Sequence, residues 1–473
     1  MKKILLAALI TLSIKNAQAQ YTFEKIVDTL HFSGSSVTQT FDNGYLVAGG
    51  FQNGVQTGPA VLKLNENGST AWFKIYTNVG GWGISTVIQL PDSGLMMQGL
   101  IAGNPYSHGR LMRIDKTGNL VWNKMYMIGN ENTQPAESDA MDSLNQNIFG
   151  LTGLITSGFT CAYFGVADGQ GNIQAIDTFP ALFASQGESV VHTFDGKFVI
   201  TGGFGNSFGN GYCFLMKLGQ NADTIWRKFY SYLNSNIGLS VALCEDSGFI
   251  ICGHTGGTFD YGLIIKTDSL GNQQWMKVFG TPWVDSSMIC QSIIQSNDGS
   301  FVFTGNANSV LAGYSYLPLI KLNSNGDTVW TRNFGNSFGL HADWGYHLME
   351  TKDHGFIIVG RNLFNNINST CIIKTDSMGL VHQGVHTPEV NNPFNFSIAP
   401  NPSNGVFTIT AKCFSGYSSQ LKIYNLANQC IYNSSICDAV PQQIDLSKEP
   451  AGMYLVMLSN QEKMVSRKIV VEK

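Results

Sequence analysis

Aromatic and imidazole side chains occur in several glycine- and asparagine-rich segments that separate short apolar runs. Six of them are candidates for ligand contact: Trp82, Tyr106, His254, Tyr261, Trp283 and Trp344. Amide and hydroxyl groups beside flat rings suit a neutral polar ligand such as a sugar, and these segments hold almost no charge. Trp82 and Trp344 each precede a glycine that begins an apolar run, so packing against a neighbouring element is their alternative role.

Motifs of metal- and nucleotide-dependent enzymes are absent from the sequence. It has no His-Glu-x-x-His pair, no Walker loop and no calcium loop, and its nine histidines are scattered. The nine cysteines are odd in number and form no Cys-x-x-Cys pair, which disfavours a zinc or redox motif. We therefore predict no catalytic residue, no metal site and no cofactor.

The composition narrows the class of protein. Lys and Arg total 28 against 32 Asp and Glu, a net charge of −4, which argues against a nucleic-acid binder. The hydrophobic fraction of 43% excludes disorder for most of the 473 residues. With 52 glycines and only 13% charged residues, many turns between short strands are expected.

The N-terminal segment resembles a secretory signal peptide. Lys2 and Lys3 precede an apolar run over residues 4–14, and Ala17-Gln18-Ala19 offers a small-x-small cleavage site. The run is shorter than the about 20 residues that span a bilayer, and no other segment is long and apolar enough. We predict removal of residues 1–19 and no transmembrane span.

A repeat fills the middle of the chain. One column is a turn residue at spacings of 49 to 55: Gly68, Gly118, Gly171, Ala222, Gly271, Gly326 and Gly379. Four residues later stand Trp72, Trp122, Ala175, Trp226, Trp275, Trp330 and Gln383. A second column is a glycine that ends an apolar run: Gly49, Gly99, Gly153, Gly202, Gly253, Gly305 and Gly360. Two columns with one period indicate tandem structural units.

Each repeat is predicted to form four short antiparallel strands, named a to d in chain order. In the fifth repeat they cover residues 239–244, 249–253, 263–267 and 274–279, with tight turns between a and b and between c and d. Seven such units predict an all-β fold, a seven-bladed β-propeller over residues 20–385. The last repeat lacks strand d, and Phe23-Glu-Lys-Ile-Val27 matches that strand, so residues 21–28 are predicted to close the last blade.

Basic residues form two further columns of the repeat. The strand-c column is Lys63, Arg113, Lys217, Lys266, Lys321 and Lys374. The strand-d column is Lys25, Lys74, Lys124, Lys228, Lys277 and Arg332. Because they are spread evenly, we predict a structural role, with stems on neighbouring aromatics and charged ends in water. The tryptophan column is predicted to pack one blade against the next.

The repeat resembles secreted β-propellers of the Kelch-like and quinoprotein-like kind over residues 21–385. Its turn is similar to the Asp-box of sialidases, but the spacing from glycine to tryptophan differs and the arginine triad of that family has no match. The resemblance implies architecture without a particular activity.

The last eighty residues lack the repeat. Residues 386–392 are predicted to be a linker, and the alternating strands within 393–473 predict a small Ig-like β-sandwich. This segment resembles the type A C-terminal sorting domain of type IX secretion. The matching positions are Pro400, Asn401, Pro402, Gly405, Gly452, Tyr454 and Lys468. An ordinary Ig-like domain that binds a partner is the alternative.

The sorting-domain resemblance implies a route and a destination. The partners it implies are the Sec translocon and the type IX secretion machinery of a Gram-negative bacterium. The cargo of such domains crosses the outer membrane and is released or attached to the cell surface, commonly after cleavage of the domain. We therefore expect the protein to be secreted or attached to the outer cell surface.

Two functions remain open at the sequence level. The sequence favours a non-catalytic propeller that binds a glycan or a protein through its variable loops between strands b and c and between d and a. The alternative is an exported hydrolase of the glycoside hydrolase kind, with its site in the central pocket. Clustered carboxylates around the centre would favour the hydrolase.

Overall fold

The computed structural model describes residues 21–27, 31–54, 56–103, 106–129, 131–136, 140–145, 147–156, 160–180, 184–205, 211–256, 260–280, 286–309, 314–335, 344–364, 367–381, 395–401, 403–412, 419–425, 429–436, 441–459 and 464–472. The chain divides into two compact units at residues 382/383. Within those described ranges, no helix has the length and apolarity needed to cross a membrane.

The first unit is all-β and propeller-like, and each set of its strands that follows one repeat is called a blade. The first described strand is Phe23–Val27 (β1). Blade 1 contains Phe32–Gln39 (β2), Tyr45–Gln52 (β3), Thr57–Leu64 (β4) and Thr70–Ile75 (β5). A 3-10 turn, Thr77–Val79, follows. Blade 2 contains Ile84–Gln89 (β6), Leu95–Ile101 (β7), His108–Ile114 (β8) and Leu120–Tyr126 (β9). Blade 3 contains Asn132–Pro135 (β10), Met141–Asn145 (β11), Ile148–Thr156 (β12), Thr160–Asp168 (β13) and Ile173–Phe179 (β14).

The remaining blades repeat the same plan. Blade 4 contains Ala184–His192 (β15), Phe198–Gly205 (β16), Gly211–Leu218 (β17) and Thr224–Tyr230 (β18). Blade 5 contains Ser235–Leu243 (β19), Phe249–Gly256 (β20), Asp260–Thr267 (β21) and Gln273–Phe279 (β22). Blade 6 contains Ser286–Gln295 (β23), Phe301–Ser309 (β24), Tyr314–Leu322 (β25) and Thr328–Phe334 (β26). Blade 7 contains Trp344–Glu350 (β27), Phe356–Phe364 (β28) and Ile367–Thr375 (β29), and β1 pairs with β29 as its outer strand.

The first strands of the blades contact one another in sequence order. β2 contacts β6, β6 contacts β11, and the contacts continue through β15, β19 and β23 to β27, which contacts β2. The strands of each blade pair antiparallel in chain order, with β10 and β11 sharing the strand-a position on β12. The first strands therefore form the innermost layer, and both faces of each blade are available for packing against its neighbours.

The glycine that ends each apolar run is required by a close backbone approach. A Cβ added at Gly253 would lie 1.9 Å from the carbonyl oxygen of Ile237, and the other glycines of that column meet the same kind of oxygen. That oxygen lies beside a β-bulge in strand a, as at Gly238/Ser240 of β19. Because glycine accommodates the bulge, strand b continues beyond it, and β20 extends to Gly256. The predicted end of strand b at residue 253 was therefore wrong.

The turn glycines and the tryptophans form the contact between neighbouring blades. A Cβ at Gly118 would lie 2.8 Å from the Trp72 ring, and one at Gly271 would lie 2.8 Å from the Trp226 ring. These glycines also have positive φ, which disfavours any other residue. Phe23 fills the same place opposite Gly68, where an added Cβ would lie 2.7 Å from its ring. The tryptophan column therefore packs blades together, as predicted.

At one blade boundary, both the tryptophan and the turn glycine are replaced by another residue. Between blades 3 and 4 the tryptophan position is Ala175 and the turn position is Ala222, which has a φ of 62°. Both alanines belong to one apolar cluster with Phe164 and Phe179. The small residue at 175 leaves room for the methyl group at 222, so the two exceptions in the sequence have one physical cause.

We expect Gly271→Ala to destabilise the first unit by about 1–3 kcal/mol, because the methyl group would meet the Trp226 ring at a left-handed position. The matched control is Ala222→Gly, which should change stability by less than about 1 kcal/mol because it removes only one methyl group. Thermal unfolding of both variants measures the difference. Equal effects of the two substitutions would contradict this account of the turn column.

The strand-c cations pair with the aspartates of the turn between strands a and b. Lys374 is fully buried, and its Nζ lies 2.9 Å from Asp353 Oδ2 and 2.8 Å from the Thr375 carbonyl oxygen. Lys63, Lys217, Lys266 and Lys321 form the same pair with their own turn. Burial lowers the pKa of Lys374, and the hydrogen bond to Asp353 opposes that shift. The prediction that these charged ends lie in water was wrong, because the fold supplies carboxylates beside them.

The strand-d cations connect one blade to the next. Lys74 Nζ donates to Asn119 Oδ1 at 2.9 Å and lies 5.7 Å from the centroid of the Trp72 ring. Lys124 repeats both contacts, with Asn172 and Trp122. Here the predicted arrangement of a stem on an aromatic ring is confirmed, and the exposed end adds a hydrogen bond across the boundary.

The second unit contains two small antiparallel sheets. One consists of Asn395–Ala399 (β30), Val406–Lys412 (β31) and Gln442–Asp445 (β34), in the order β30-β31-β34. The other consists of Ser419–Tyr424 (β32), Cys430–Ile436 (β33), Gly452–Ser459 (β35) and Met464–Val471 (β36), in the order β33-β32-β35-β36. Phe407, Ile423, Ile444 and Val456 are among the buried residues of a core that both sheets share.

Candidate functional site

The connections between strands b and c and between d and a lie at one end of the first unit. The strand-c cations mark the other end, because they reach the turns between strands a and b. Several residues predicted to be loop are strand: β24 and β25 pair through to Ser309 and Tyr314. His254 and Tyr261 likewise belong to β20 and β21. The b–c hairpins of these blades are therefore longer than the sequence indicated, and the loops at this end are shorter.

Side chains of the innermost strands form hydrogen bonds to the innermost strand of the neighbouring blade. Ser189 Oγ accepts a hydrogen bond from the Val241 amide, and Ser240 and Ser292 accept equivalent bonds from the following blade. At the boundary between blades 7 and 1, His347 Nδ1 accepts from the Val37 amide at 3.3 Å. These hydrogen bonds connect the inner strands of successive blades, which makes them a rigid support for the loop end.

The extra residue of each bulge lies on the innermost strand and is skipped in the register of strand a with strand b. The six that the structure describes are half-buried: Ser35, Ser85, Glu188, Leu239, Gln291 and Tyr346. Glu188 is the one acidic side chain of this set, and Gln186 Nε2 donates to it at 2.7 Å. Two carboxylates that would flank a glycosidic bond are not brought together at these six positions.

Trp82 and Tyr106 are exposed at the loop end, at blade 2. Trp82 is 58% exposed and has a φ of 71°, a left-handed conformation that bulky residues seldom adopt. Tyr106 is 37% exposed and lies in the connection between β7 and β8. Backbone conformations of this kind concentrate at ligand-binding positions.

The other predicted ligand residues lie in other blades. His254 Nδ1 is 3.1 Å from Asp260 Oδ1 in the hairpin of blade 5 that also carries Tyr261. The Trp344 ring packs at 6.5 Å from the ring of Tyr346 in blade 7. Trp283 lies outside the described residues. The five candidates that the structure describes are therefore distributed over blades 2, 5 and 7 instead of forming one cluster.

Sequence reasoning missed Arg110 and His108, which lie two residues apart on β8. Arg110 is fully buried, and its Nη2 donates to the carbonyl oxygens of Val79 at 2.8 Å and Gly80 at 2.9 Å. His108 Nδ1 is also buried. The available signal was a second basic residue in strand c, three positions before the Arg113 of the repeat column.

A second imidazole contact was also missed, at the boundary between blades 3 and 4. His192 Nδ1 lies 2.8 Å from Asp142 Oδ2, and the same oxygen accepts from the His192 amide. The hydrogen bond to Asp142 raises the pKa of His192. Ala140 occupies the position of the inner-strand serines here and has no hydroxyl group, and this pair supplies a polar contact between the two inner strands instead.

A groove of about 230 Å³ lies at the opposite end, between blades 2 and 3. Its lining includes Asp92, Arg113, Val121 and Trp122. The ion pair between Arg113 and Asp92 and the packing of Trp122 on Gly171 already occupy these side chains. The groove therefore belongs to the structural turn end of the unit.

The predicted sorting residues hold the second unit together. Asn401 Oδ1 accepts from the Val470 amide at 2.9 Å, and the Gly405 carbonyl oxygen accepts from the Leu446 amide at 2.7 Å. Gly405 has a φ of 102°, and an added Cβ would lie 2.8 Å from Ser447 Cα. Tyr454 is buried in the shared core.

The other sorting residues have simpler surroundings. Pro400 follows a cis peptide bond, Gly452 begins β35, and Lys468 pairs with Leu455 along β36. Pro402 lies outside the described residues.

Comparison with known proteins identifies the second unit. Residues 397–472 match the family of the secretion system C-terminal sorting domain. The match indicates type IX secretion and implies secretion and attachment at the cell surface. No curated protein matches the sequence.

Solved structures resemble the chain at low identity. A protein of unknown function from Bacteroides caccae is 12% identical, with a TM-score of 0.38 over 63% of this chain and 96% of that one. A fungal alcohol oxidase of the AA5 family, in complex with copper, is 11% identical, with a TM-score of 0.44 over 96% and 100%. A Trypanosoma rangeli sialidase with the inhibitor DANA is 11% identical, with a TM-score of 0.35 over 92% and 84%. No activity of this chain follows from them.

Proposed function

We propose that the first unit is a non-catalytic glycan-binding module that is exported through the type IX pathway by its C-terminal sorting domain. Export begins with removal of residues 1–19, which lie outside the described residues, and the module then acts outside the outer membrane. The observation that carries the proposal is the exposed pair of aromatic side chains, Trp82 and Tyr106, at the loop end of blade 2.

The surroundings of these rings support contact with a sugar. Exposed aromatic faces stack on the apolar faces of sugar rings, and nearby amides and hydroxyls supply hydrogen bonds. Thr57 lies beside Gly81, where an added Cβ would be 2.7 Å from its Oγ1. The rings stand on a rigid scaffold of buried strands, which is the usual support for binding loops.

The hydrolase alternative has less support among the described residues. Glu188 is the single carboxylate of the six bulge positions, whereas a glycoside hydrolase uses two flanking its substrate bond. The sequence Gly-Asn-Ser-Phe-Gly occurs twice, at 205–209 and 335–339, and resembles a serine nucleophile pattern. Residues 206–209 and 336–339 lie outside the described residues, so the structure adds no support for a nucleophile elbow at either segment.

We expect the mature protein to bind glycans on an array and Trp82→Ala to weaken that binding about tenfold or more, because one stacked ring contributes about 1–3 kcal/mol. The matched control is Phe194→Ala, which removes an exposed ring from the turn between β15 and β16, at the other end of the unit. Calorimetry with a glycan identified on the array gives the affinities.

Two outcomes would contradict the proposal. One is an array without any bound glycan, and the other is equal weakening by the two substitutions. Glycan hydrolysis that disappears in a Glu188→Gln variant would favour the hydrolase instead.

A further inference from the structure

Arg110 is a buried cation whose donors are only partly used. Its large side chain is fully buried. Its Nη2 donates hydrogen bonds to the carbonyl oxygens of Val79 and Gly80. Among the residues that the structure describes, its Nε and Nη1 have no hydrogen-bond partner. A guanidinium carries five N–H donors, one on Nε and two on each Nη, so about three are left unused. Burial alone lowers the pKa of this group to about 10.

The contrast with Lys374 shows that the fold is able to satisfy a buried cation. Lys374 is equally buried, yet both oxygens of Asp353 lie within 3.1 Å of its Nζ. For Arg110, the described residues supply two neutral carbonyl oxygens and no carboxylate. Leaving charged donors unpaired in the interior is costly, so an acceptor that reaches them gains a strong, charge-assisted interaction.

His108 is a second basic side chain on the same face of β8. Side chains alternate along a strand, so His108, Arg110 and Met112 share one face. Met112 packs with Leu46 and Val61 of blade 1, which places this face at the boundary between blades 1 and 2. His108 Nδ1 is buried and has no hydrogen-bond partner within the described part of the chain. Two basic side chains with unpaired nitrogens therefore lie along one face, roughly 7 Å apart at the backbone.

A thin segment covers Arg110. Residues 77–82 contain the short 3-10 turn, which has no buried residue and no side-chain cap hydrogen bond. Gly80 and Trp82 within it have φ values of 87° and 71°. A surface segment with few buried contacts opens at low free-energy cost. Trp82 belongs to the same segment, two residues after the Gly80 whose carbonyl oxygen accepts from Arg110, and its ring is exposed.

We propose that the ligand of this site is an acidic sugar, whose carboxylate Arg110 binds, with His108 beside it, when the segment 77–82 moves aside. This inference rests on the proposed function, because Trp82 and Tyr106 are the rings on which the sugar would stack. It replaces a neutral ligand, which the low charge of the loops suggested, with an anionic one.

The test compares sodium glucuronate with glucose at constant ionic strength, by calorimetry on the mature protein. We expect glucuronate to bind about tenfold or more tightly than glucose, and Arg110→Gln to abolish that preference. Arg113→Gln is the matched control, because it removes an equal charge from the same strand at the turn end and should keep the preference. Equal binding of the two sugars, or an unchanged preference in Arg110→Gln, would overturn the inference.

A second measurement uses the unmodified protein and does not depend on a variant that folds. Amide hydrogen exchange of residues 77–83 should change on addition of glucuronate, with no comparable change on addition of sodium sulfate. An unaltered exchange rate would count against a moving cover. Neutral array glycans bound without preference for glucuronate would leave the glycan-binding function standing and overturn only this inference, whereas binding of no sugar at all would overturn both.

Discussion

Removing residues 393–473 is expected to trap the first unit in the periplasm and to reduce its surface and medium fraction about tenfold or more. The reason is that a targeting signal is recognised by a receptor, so a protein without the sorting domain is not recognised for export across the outer membrane. Residues 397–472 match that domain, and the division of the chain at residues 382/383 leaves the first unit its own cores. Cell fractionation with an antibody against the first unit measures the distribution.

A point substitution tests the sorting role without removing the whole domain. Gly405→Val should reduce surface delivery strongly, because its Cβ would meet Ser447 at a left-handed position and disturb the sandwich. Met453→Ala is the control in the same domain, since Met453 is 41% exposed and lies outside the shared core. Normal surface delivery of the truncated chain would refute the sorting role. Thermal unfolding of the trapped protein is the control that tests whether the first unit is folded.

Deleting residues 21–28 is expected to destabilise the first unit by more than about 4 kcal/mol, because β1 is the outer strand of blade 7 and carries the contact to blade 1. Phe23 is buried, packs on Gly68 and meets the Tyr45 ring edge-on at 5.9 Å. Phe23→Ala alone should cost about 3–5 kcal/mol. Thermal and urea unfolding measure both changes.

The same strand offers its own control. Ile26 is 42% exposed, so Ile26→Ala should cost less than about 1 kcal/mol while leaving the backbone pairing with β29 in place. If the deletion left the unfolding transition where it is in the complete protein, β1 would be an appended strand and not a closure of the blade.

Much of the fold follows from the repeat columns, because each column has a local physical cause. The turn glycines have positive φ, and tryptophan or phenylalanine packs on them from the preceding blade. The pair Ala175 and Ala222 shows that a departure in one column is matched by a departure in the other. A period and two columns were enough to predict an all-β protein and to align Phe23 with the tryptophans.

The candidate site was predicted only in part. Trp82 and Tyr106 are exposed at the loop end, as their glycine-rich surroundings indicated. His254 and Tyr261 lie in a strand hairpin, because the glycine before them accommodates a bulge and does not end the strand. Arg110 could not be predicted, because its burial and its contacts depend on packing against residues 79 and 80, which the sequence pattern of β8 does not indicate.

The sequence by itself determined the repeating units, their strands and turns, and the sorting segment, because periodicity, turn chemistry and short motifs are local properties. The tertiary structure alone decided which charges are buried and what they contact. Lys374 and Arg110 both lie in strand c and are equally buried. Lys374 contacts the carboxylate of Asp353, whereas Arg110 contacts carbonyl oxygens of the segment 77–82. That difference arises from packing between distant parts of the chain, and it marks the place where a ligand is expected.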